Sequence, residues 1–255
     1  MEIERYDEGV PSWVDMGSPD LAGAKAFYGG LLGWDCPEGP AEAGGYSVCE
    51  LRGKTVAGLG PQMNPAFPAA WMSYVNVADA DATIGRVKAS GGTVFLEPMD
   101  VMDVGRMAIF ADPAGAVLGL WQPRSHTGAQ LVNEPGTWCW SELITTDVEG
   151  AKAFYGAVFG WGAEEQGAGG PHPYTEWKVG ERSVGGMMPK SPEMPADMPP
   201  NWGVYFAVDD ADAATAKAQE LGGTLFMGPM DIEPGRMAVL ADAGGAVFNI
   251  LKLKS

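Results

Sequence analysis

Cysteine and histidine, which often bind metals or act as nucleophiles and bases, are scarce in this chain of 255 residues. The three cysteines, Cys36, Cys49 and Cys139, are an odd number without CxxC spacing, so we expect neither a disulfide framework nor a zinc site. The two histidines, His126 and His172, fall in segments typical of a linker and a loop. The sequence therefore does not indicate a Ser–His–Asp or Cys–His catalytic arrangement.

Basic residues and long apolar runs are also lacking. Lys and Arg number 16 against 33 Asp and Glu, which gives a formal net charge of −17. A negative field of this size repels phosphate, which argues against nucleic-acid or anionic-membrane partners. No apolar run approaches the ~18 residues of a membrane span, and the first residues lack the pattern of a signal peptide. We therefore expect a cytoplasmic location, while nothing in the sequence fixes the oligomeric state.

The sequence contains a tandem repeat. Residues 24–34 read AKAFYGGLLGW and residues 151–161 read AKAFYGAVFGW, and further matches link 91–100 to 222–231 and 105–117 to 235–247. The offset drifts only from 127 to 131 residues, which indicates duplication of a unit of ~115 residues with small loop changes. We predict a first domain over 1–124, a linker over about 124–136 and a second domain over 137–255.

Within each half, the sequence predicts a repeated order of one strand, one helix and several strands. Residues 12–17 are strand-like, and Ser18 is expected to cap a helix whose first turn contains Pro19 and Asp20. Apolar residues then recur at helical spacing until Gly33. The cycle starts again at 71–77 with a strand, followed by a helix over 80–92. The pattern predicts an α+β fold in which each half contains two βαβββ units.

These units resemble the vicinal oxygen chelate superfamily, which includes glyoxalases, extradiol dioxygenases and bleomycin-resistance proteins. The resemblance rests on the D-L-x-x-A-x-x-FY-x-x-L-GW signature and on the late DPxGAV turn, and it covers 11–124 and 137–253. The PMD…GRMA…ADP pattern is similar to a two-domain actinobacterial subgroup. The resemblance implies curled mixed sheets around a cup, in which a divalent metal is often held by His, Gln or Glu.

The metal-ligand positions that the resemblance implies carry mostly unsuitable side chains. In the order of the two halves, these positions fall on Trp13, Gly58, Met72 and Gly119, and on Trp140, Gly186, Gly203 and Asn249. Apart from Asn249, none of these side chains can ligate a hard or borderline cation. We therefore predict that the protein binds no metal and no cofactor.

Strand alternation indicates what occupies the cup instead. Trp13 and Asp15 share one face of the first strand, and Trp140 and Glu142 share the equivalent face in the second half. A carboxyl group among aromatic side chains is partly desolvated, which raises its pKa toward the range useful for acid–base chemistry. We predict that Asp15 and Glu142 are candidate catalytic residues, with Trp13 and Trp140 binding a ligand. A solvated or ion-paired carboxylate at the rim is the structural alternative.

Other repeated residues are candidates for ligand binding. They comprise two aromatic pairs and one arginine pair: Tyr46 and Tyr174, Trp71 and Trp202, and Arg106 and Arg236. The aromatic side chains could clamp a flat ligand. The arginines could hold an anionic or carbonyl oxygen, although ion pairs with Asp100 and Asp231 that fix a hairpin are the simpler interpretation.

Three functions are consistent with these features. The first is metal-free binding of an aromatic or amphipathic small molecule in the cup. The second is a metal-independent enzyme in which Asp15 or Glu142 acts as acid or base on a carbonyl or polyketide-like substrate. The third is a metal-dependent glyoxalase or dioxygenase, as the resemblance would imply.

Overall fold

The structure, a computed structural model, describes residues 1–62, 64, 68–166 and 173–254. His172 lies outside the described residues. In the first half, the strands and helices are β1 (Pro11–Ser18), α1 (Leu21–Leu32), β2 (Ser47–Leu51), β3 (Lys54–Pro61), β4 (Ala70–Asn76), α2 (Ala80–Ala89), β5 (Thr93–Val101), β6 (Gly105–Ala111) and β7 (Val117–Pro123). A short 3-10 helix, Ala41–Ala43, precedes β2.

The second half repeats this order with one additional strand. Its elements are β8 (Trp138–Thr145), α3 (Val148–Phe159), β9 (Gly162–Gln166), β10 (Tyr174–Val179), β11 (Arg182–Pro189), β12 (Asn201–Ala207), α4 (Ala211–Glu220), β13 (Thr224–Ile232), β14 (Gly235–Ala241) and β15 (Val247–Leu253). Within the described ranges, no helix combines the length and the apolar character needed to cross a membrane.

Each half forms one mixed sheet, and neither sheet closes into a barrel. The strand order is β2-β3-β1-β4-β7-β6-β5 in the first sheet and β13-β14-β15-β12-β8-β11-β10-β9 in the second. Read from opposite ends, the two orders are the same, with β9 added at one edge. Within each sheet, the first strands of the two units pair antiparallel, β1 with β4 and β8 with β12. The predicted α+β fold with two βαβββ-type units in each half is confirmed.

The N-terminus of helix α1 differs from the sequence-based expectation. Asp20, not Ser18, is the N-cap residue, because its carboxylate accepts a hydrogen bond from the Gly23 amide. The Ser18 hydroxyl accepts a hydrogen bond from the Asp20 amide at 3.1 Å, just outside the helix. Asp147 caps α3 in the same way. Gly33 ends α1 in the left-handed conformation, as a C-terminal glycine commonly does.

The cysteines also correct a prediction, because Cys36 and Cys49 form a disulfide. It ties the segment after α1 to β2, next to an isolated bridge between Asp35 and Glu50. In the second half, the equivalent link is strand pairing of β9 with β10, in which Ala163 lies opposite Trp177. The expectation failed because sequence spacing does not show that two distant cysteines meet in space. Cys139 is a free thiol.

The helices lie between the two sheets and join the halves into one core. Helix α1 contacts α4, and helix α2 contacts α3. Phe27 of α1 packs against Phe248 of the second half, with ring centroids 6.0 Å apart. Phe154 of α3 packs against Phe110 of the first half, also at 6.0 Å. The other faces of the two sheets, the cup faces of the sequence analysis, therefore point away from this shared core.

The repeated AFYG and ADxxGA motifs bind each other across the halves. Tyr28 donates a hydrogen bond to Asp242 Oδ2 at 3.2 Å, and Tyr155 donates to Asp112 Oδ2 at 3.0 Å. The Oδ1 atom of each aspartate accepts backbone amides of its own turn, for example Ala116 N at 2.9 Å from Asp112. Each tyrosine thus connects a helix of one half to a turn of the other.

A double-mutant cycle measures this contact. Tyr28→Phe removes a buried hydrogen bond to a carboxylate, so we expect a loss of about 1.5–3 kcal/mol in the free energy of unfolding. In a cycle with Asp242→Asn, we expect a coupling energy of about 1 kcal/mol or more, measured by urea denaturation. Tyr28→Phe combined with Asp112→Asn is the control, and its coupling should stay within about 0.5 kcal/mol. Equal coupling in both cycles would contradict the contact.

Candidate functional site

Strand β1 orients its side chains as the alternation predicts. Val14 and Met16 are buried beneath the helices, at 0% and 1% exposure. Trp13 and Asp15 lie on the opposite, cup face, where Trp13 is buried and Asp15 is half-buried. The face shared by Trp13 and Asp15 is therefore the one that a ligand can approach.

In the first half, a carboxyl group is bound by tyrosine hydroxyls. Trp13 Nε1 donates a hydrogen bond to Tyr46 Oη at 2.9 Å, and Tyr46 Oη donates to Asp15 Oδ2 at 3.1 Å. The hydroxyl of Tyr74, on the neighbouring strand β4, also acts on the Asp15 carboxyl group and lowers its pKa. We call these four residues, Trp13, Asp15, Tyr46 and Tyr74, the Asp15 cluster.

The second half contains an equivalent set, the Glu142 cluster. Trp140 Nε1 donates to Tyr174 Oη at 2.9 Å, and Tyr205 Oη donates to Glu142 Oε1 at 2.8 Å. The Tyr174 hydroxyl also acts on Glu142 and lowers the pKa of its carboxyl group. Glu142 is more enclosed than Asp15, with 8% of the residue exposed. The two halves therefore place the same residue types around one carboxyl group each, but the hydrogen-bond donor is Tyr46 in the first half and Tyr205 in the second.

Sequence reasoning did not find Tyr74 and Tyr205. They match in the repeat at an offset of 131, and each lies three residues after a tryptophan that was chosen instead, Trp71 or Trp202. Successive side chains of a strand point to opposite faces, so Trp71 and Tyr74 lie on opposite faces of β4. This alternation was the signal in the sequence that could have identified the two tyrosines as cup-face residues.

The prediction that Trp71 and Trp202 bind a ligand is wrong. Both are 6% exposed and lie in the helix-facing core. Trp71 Nε1 donates to Tyr28 Oη at 2.8 Å, and Trp202 Nε1 donates to Tyr155 Oη at 2.8 Å. Their indoles therefore support the contact between the halves and do not reach the cups.

The structure shows the ion pairs that were the simpler interpretation of Arg106 and Arg236. Arg106 forms ion pairs with Asp100 at 3.1 Å and with Asp81 of α2 at 2.9 Å. Arg236 forms the matching pairs with Asp231 at 3.1 Å and with Asp212 of α4 at 2.6 Å. These pairs tie the β5–β6 and β13–β14 hairpins to the helices that precede them. Both guanidinium groups are thus committed to structural contacts.

His126 of the linker packs against the Asp15 cluster. Its ring centroid lies 4.5 Å from that of Trp13 and 5.5 Å from that of Trp121. Burial lowers the pKa of its imidazole to about 4, so the ring is neutral near pH 7. His126 therefore provides an apolar wall beside Trp13 rather than a positive charge.

Two glycines provide space for the tyrosine hydroxyls. A Cβ atom on Gly58 would overlap Tyr46 Oη, and a Cβ atom on Gly186 would overlap Tyr174 Oη. Gly58 lies opposite Asp15 in the parallel pairing of β1 with β3, and Gly186 lies opposite Glu142 in the pairing of β8 with β11. A residue with a side chain at either position would push the phenol away from its carboxyl group.

Burial dominates the electrostatics of both clusters. It raises the pKa of Asp15 from 3.8 to about 7, although the hydrogen bonds from Tyr46 and Tyr74 oppose the shift. Burial likewise raises the pKa of Glu142, against the hydrogen bonds from Tyr205 and Tyr174. It also raises the pKa of the four tyrosines, so their phenols stay protonated and can donate. Asp15 can therefore accept or donate a proton near neutral pH.

The donors in these clusters do not fit a divalent metal. Each cluster offers one carboxyl group and neutral phenols. The positions at which the family resemblance implies metal ligands carry residues that cannot serve, such as Gly58, Gly186 and Trp13. Divalent cations in this type of site need several carboxylate, imidazole or thiolate ligands. In the part of the chain that is described, no three His, Cys, Asp or Glu residues are grouped so that they could hold a metal ion. We derive no chemical step through a metal.

Comparison with known proteins defines the family. The model of the Glyoxalase/Bleomycin resistance protein/Dioxygenase superfamily matches residues 11–120 and 131–250. Because these matches cover most of the sequence, the chain belongs to this superfamily, with one family repeat in each half.

Its relatives have differing names. It is 44% identical over 253 residues to a protein of Mycobacterium tuberculosis named "Putative glyoxylase CFP32", which covers 97% of this chain and 96% of the relative. It is 37% identical over 267 residues to the anthracycline biosynthesis protein DnrV of Streptomyces peucetius, which covers 99% and 96%. The differing names mean that membership alone does not fix a reaction.

Solved structures share the fold. The Mn(II)-bound glyoxalase of Novosphingobium aromaticivorans has a TM-score of 0.67 at 17% identity and covers 97% of this chain and 83% of its own. The 2,3-dioxygenase LapB of Pseudomonas sp. KL28 has a TM-score of 0.67 at 14% identity and covers 97% and 94%. At these identities, the likeness shows the arrangement of strands and helices alone.

The raised pKa of Asp15 predicts a pH dependence of stability. Between pH ~4 and ~7, the folded protein binds more protons at Asp15 than the unfolded chain does, so the contribution of Asp15 to the free energy of unfolding falls as pH rises. The loss should be of the order of a few kcal/mol and should be absent from Asp15→Asn. Urea denaturation at pH 4 to 8 measures it. Asp103→Asn, which removes an exposed carboxylate, should keep the wild-type dependence; the same curve for Asp15→Asn would refute the assignment.

Substitution of Gly58 tests how tightly Tyr46 is packed. We expect Gly58→Ala to cost about 1–3 kcal/mol of unfolding free energy, because the new methyl group must displace the Tyr46 hydroxyl or strain β3. Gly85→Ala in helix α2 is the matched control, since no atom lies within 4 Å of the Cβ it would add. That variant should be stabilised by about 0.5–1 kcal/mol. Urea denaturation compares the two, and a neutral Gly58→Ala would argue against the packing described.

Proposed function

We propose that each cup face binds a flat small molecule that carries hydroxyl or carbonyl groups, and that the carboxyl group of Asp15 or Glu142 recognises it without a metal. The observation that carries this proposal is a half-buried or buried carboxyl group on each cup face that accepts a hydrogen bond from a tyrosine, Tyr46 for Asp15 and Tyr205 for Glu142. A tryptophan indole donates to a tyrosine of each cluster. A carboxyl group with this pKa can either accept a hydrogen bond from a ligand hydroxyl or donate one to a ligand carbonyl.

The apolar surroundings favour an aromatic ligand. In the first half, Met72, Met107 and Ile109 are partly exposed around the Asp15 cluster. Methionine adapts its shape to flat rings and makes favourable sulfur–aromatic contacts. The 37% identity to a protein named for anthracycline biosynthesis supports a polycyclic aromatic ligand as the first class to test.

A second candidate function is acid–base catalysis by the same site. The observation in its favour is the pKa of Asp15, which burial raises to about 7, close to the value that suits a general acid or base near neutral pH. In this case, Asp15 would remove a proton from, or donate one to, a carbon or oxygen of a carbonyl-bearing substrate. Binding and catalysis thus require the same residue but predict different effects of replacing it.

Titration with 1,4-dihydroxyanthraquinone tests binding. We expect Asp15→Asn and Glu142→Gln each to weaken one site, and the double variant to lose about tenfold or more in affinity at both, because a hydrogen bond to a charged or acidic group contributes ~1.5–3 kcal/mol. Tryptophan quenching and calorimetry measure the affinity. Asp103→Asn and Glu181→Gln, which change exposed carboxylates, are matched controls and should bind like the wild type.

The outcomes separate the candidates. If the double variant binds as tightly as the wild type, neither cluster is the site. If Asp15→Asn retains binding but abolishes conversion of the compound, as followed by mass spectrometry, catalysis is favoured. Conversion by the wild type should then follow a pH profile with an apparent pKa near 7.

A further inference from the structure

The second half contains a cavity that is separate from the carboxyl group of the Glu142 cluster. It has a volume of about 710 Å³ and lies between the N-terminal residues and the beginnings of strands β8 and β11. Its walls include Trp138 and Trp140 of β8 and Arg182 of β11. A cavity of this size is in the range that holds a small organic molecule.

The equivalent place in the first half is filled by the linker. There, Ala129 N donates to Ser12 O at 2.8 Å, and Gln130 N donates to Thr55 O at 2.8 Å. In the repeat, Ser12 corresponds to Cys139 and Thr55 to Ser183, and both of these second-half residues line the cavity. The linker thus seals the first sheet between β1 and β3, whereas the same gap between β8 and β11 is a cavity.

The arginines of the chain point to the chemistry of this cavity. Five of the seven arginines have a carboxylate or carbonyl partner, namely Arg52, Arg86, Arg106, Arg124 and Arg236. The other two, Arg5 and Arg182, form no hydrogen bond or ion pair with any residue that the structure describes, and both line the cavity.

The acidic side chains at the cavity do not neutralise both arginines. Glu2 and Glu4 also line it. The Glu2 carboxylate is paired with Lys54 at 3.1 Å, and Glu4 is exposed and forms no ion pair with Arg5 or Arg182 among the described residues. The charge of Arg182 acts on the buried Tyr6 hydroxyl, where it opposes the rise in the Tyr6 pKa that burial causes. This places the guanidinium of Arg182 beside the cavity wall.

The cavity also has apolar surface beside its polar groups. Ile3 and Trp140 line it and are partly exposed. Trp140 Nε1 donates to Tyr174 of the Glu142 cluster. A molecule with an apolar ring system and one anionic group would therefore place its ring against these two side chains while its charge meets the arginines.

We propose that this cavity binds an amphipathic organic anion, whose carboxylate, sulfonate or phosphate group is held by Arg5 and Arg182 and whose aromatic body lies against Ile3 and Trp140. Guanidinium groups suit this task because their planar donors match the oxygens of such anions. Since the linker fills the equivalent place in the first half, the two halves of the repeat differ in function. The proposal does not depend on ligand binding in the cups.

Two fluorescent probes of similar shape test it. The anion 8-anilinonaphthalene-1-sulfonate carries the required charge, and the neutral N-phenyl-1-naphthylamine lacks it. We expect Arg5→Gln combined with Arg182→Gln to weaken the binding of the anionic probe about tenfold or more and to leave the neutral probe within about twofold. Arg52→Gln combined with Arg124→Gln is the matched control, since it removes the same charge from ion-paired surface positions.

Two kinds of result would overturn the proposal that the cavity binds an organic anion. Unchanged affinity of the Arg5/Arg182 variant for the anionic probe, or no binding of that probe to the wild type, would overturn the proposal. Equal weakening by the control pair would show a general effect of net charge and would overturn it as well. Circular dichroism and the urea midpoint should be unchanged in both variants, because all four side chains are largely exposed. If Asp15→Asn and Glu142→Gln do not change ligand binding in the cups, the results expected for this cavity stay the same.

Discussion

The exchange of hydrogen bonds between Tyr28 and Asp242, and between Tyr155 and Asp112, is the constraint on which the rest of the structure depends. Each bond joins a helix of one half to a turn of the other, and each phenol also accepts a tryptophan indole N–H. A buried carboxylate that loses its donor carries a large desolvation cost, so the two halves cannot separate without exposing or stranding these groups. Because the helix-facing sides of both sheets are used in this contact, only the cup faces and the edges are left for ligand chemistry.

Duplication set up two similar sites, but the connections between the repeats made them unequal. A single chain needs a linker after the first half, and that linker fills the gap between β1 and β3 and brings His126 against Trp13. The first half closes its edge with the Cys36–Cys49 disulfide, whereas the second uses strand β9. Local differences of this kind leave the shared core unchanged, yet the linker fills in the first half the gap that is a cavity between β8 and β11 in the second.

The sequence predicted much of this because its strongest signals are periodic. Helical spacing, strand alternation and the 127–131 offset were enough to place α1, β1 and their copies, and to put Asp15 and Glu142 on the cup face. The failures concern contacts between distant segments. Trp71 and Trp202 looked like ligand clamps because the helix–sheet contact that buries them involves both halves. The ion pairs of Arg106 with Asp100 and of Arg236 with Asp231 were foreseen, whereas Asp81, 25 residues from Arg106, was not visible as a second partner. The Cys36–Cys49 pair was missed for the same reason.

The carboxyl–tyrosine cluster of each half depends on the space that one glycine leaves. In the family resemblance, the position of Gly58 is one that can carry a metal-binding side chain. With glycine there, the chain loses that donor and gains the space that Tyr46 Oη occupies beside Asp15. The phenol donates a hydrogen bond that lowers the pKa of Asp15, but burial outweighs it and raises the pKa to about 7. The place of the Tyr46 hydroxyl beside Asp15 thus depends on Gly58, and in the second half Gly186 leaves the same space for Tyr174, while burial raises the pKa of Glu142.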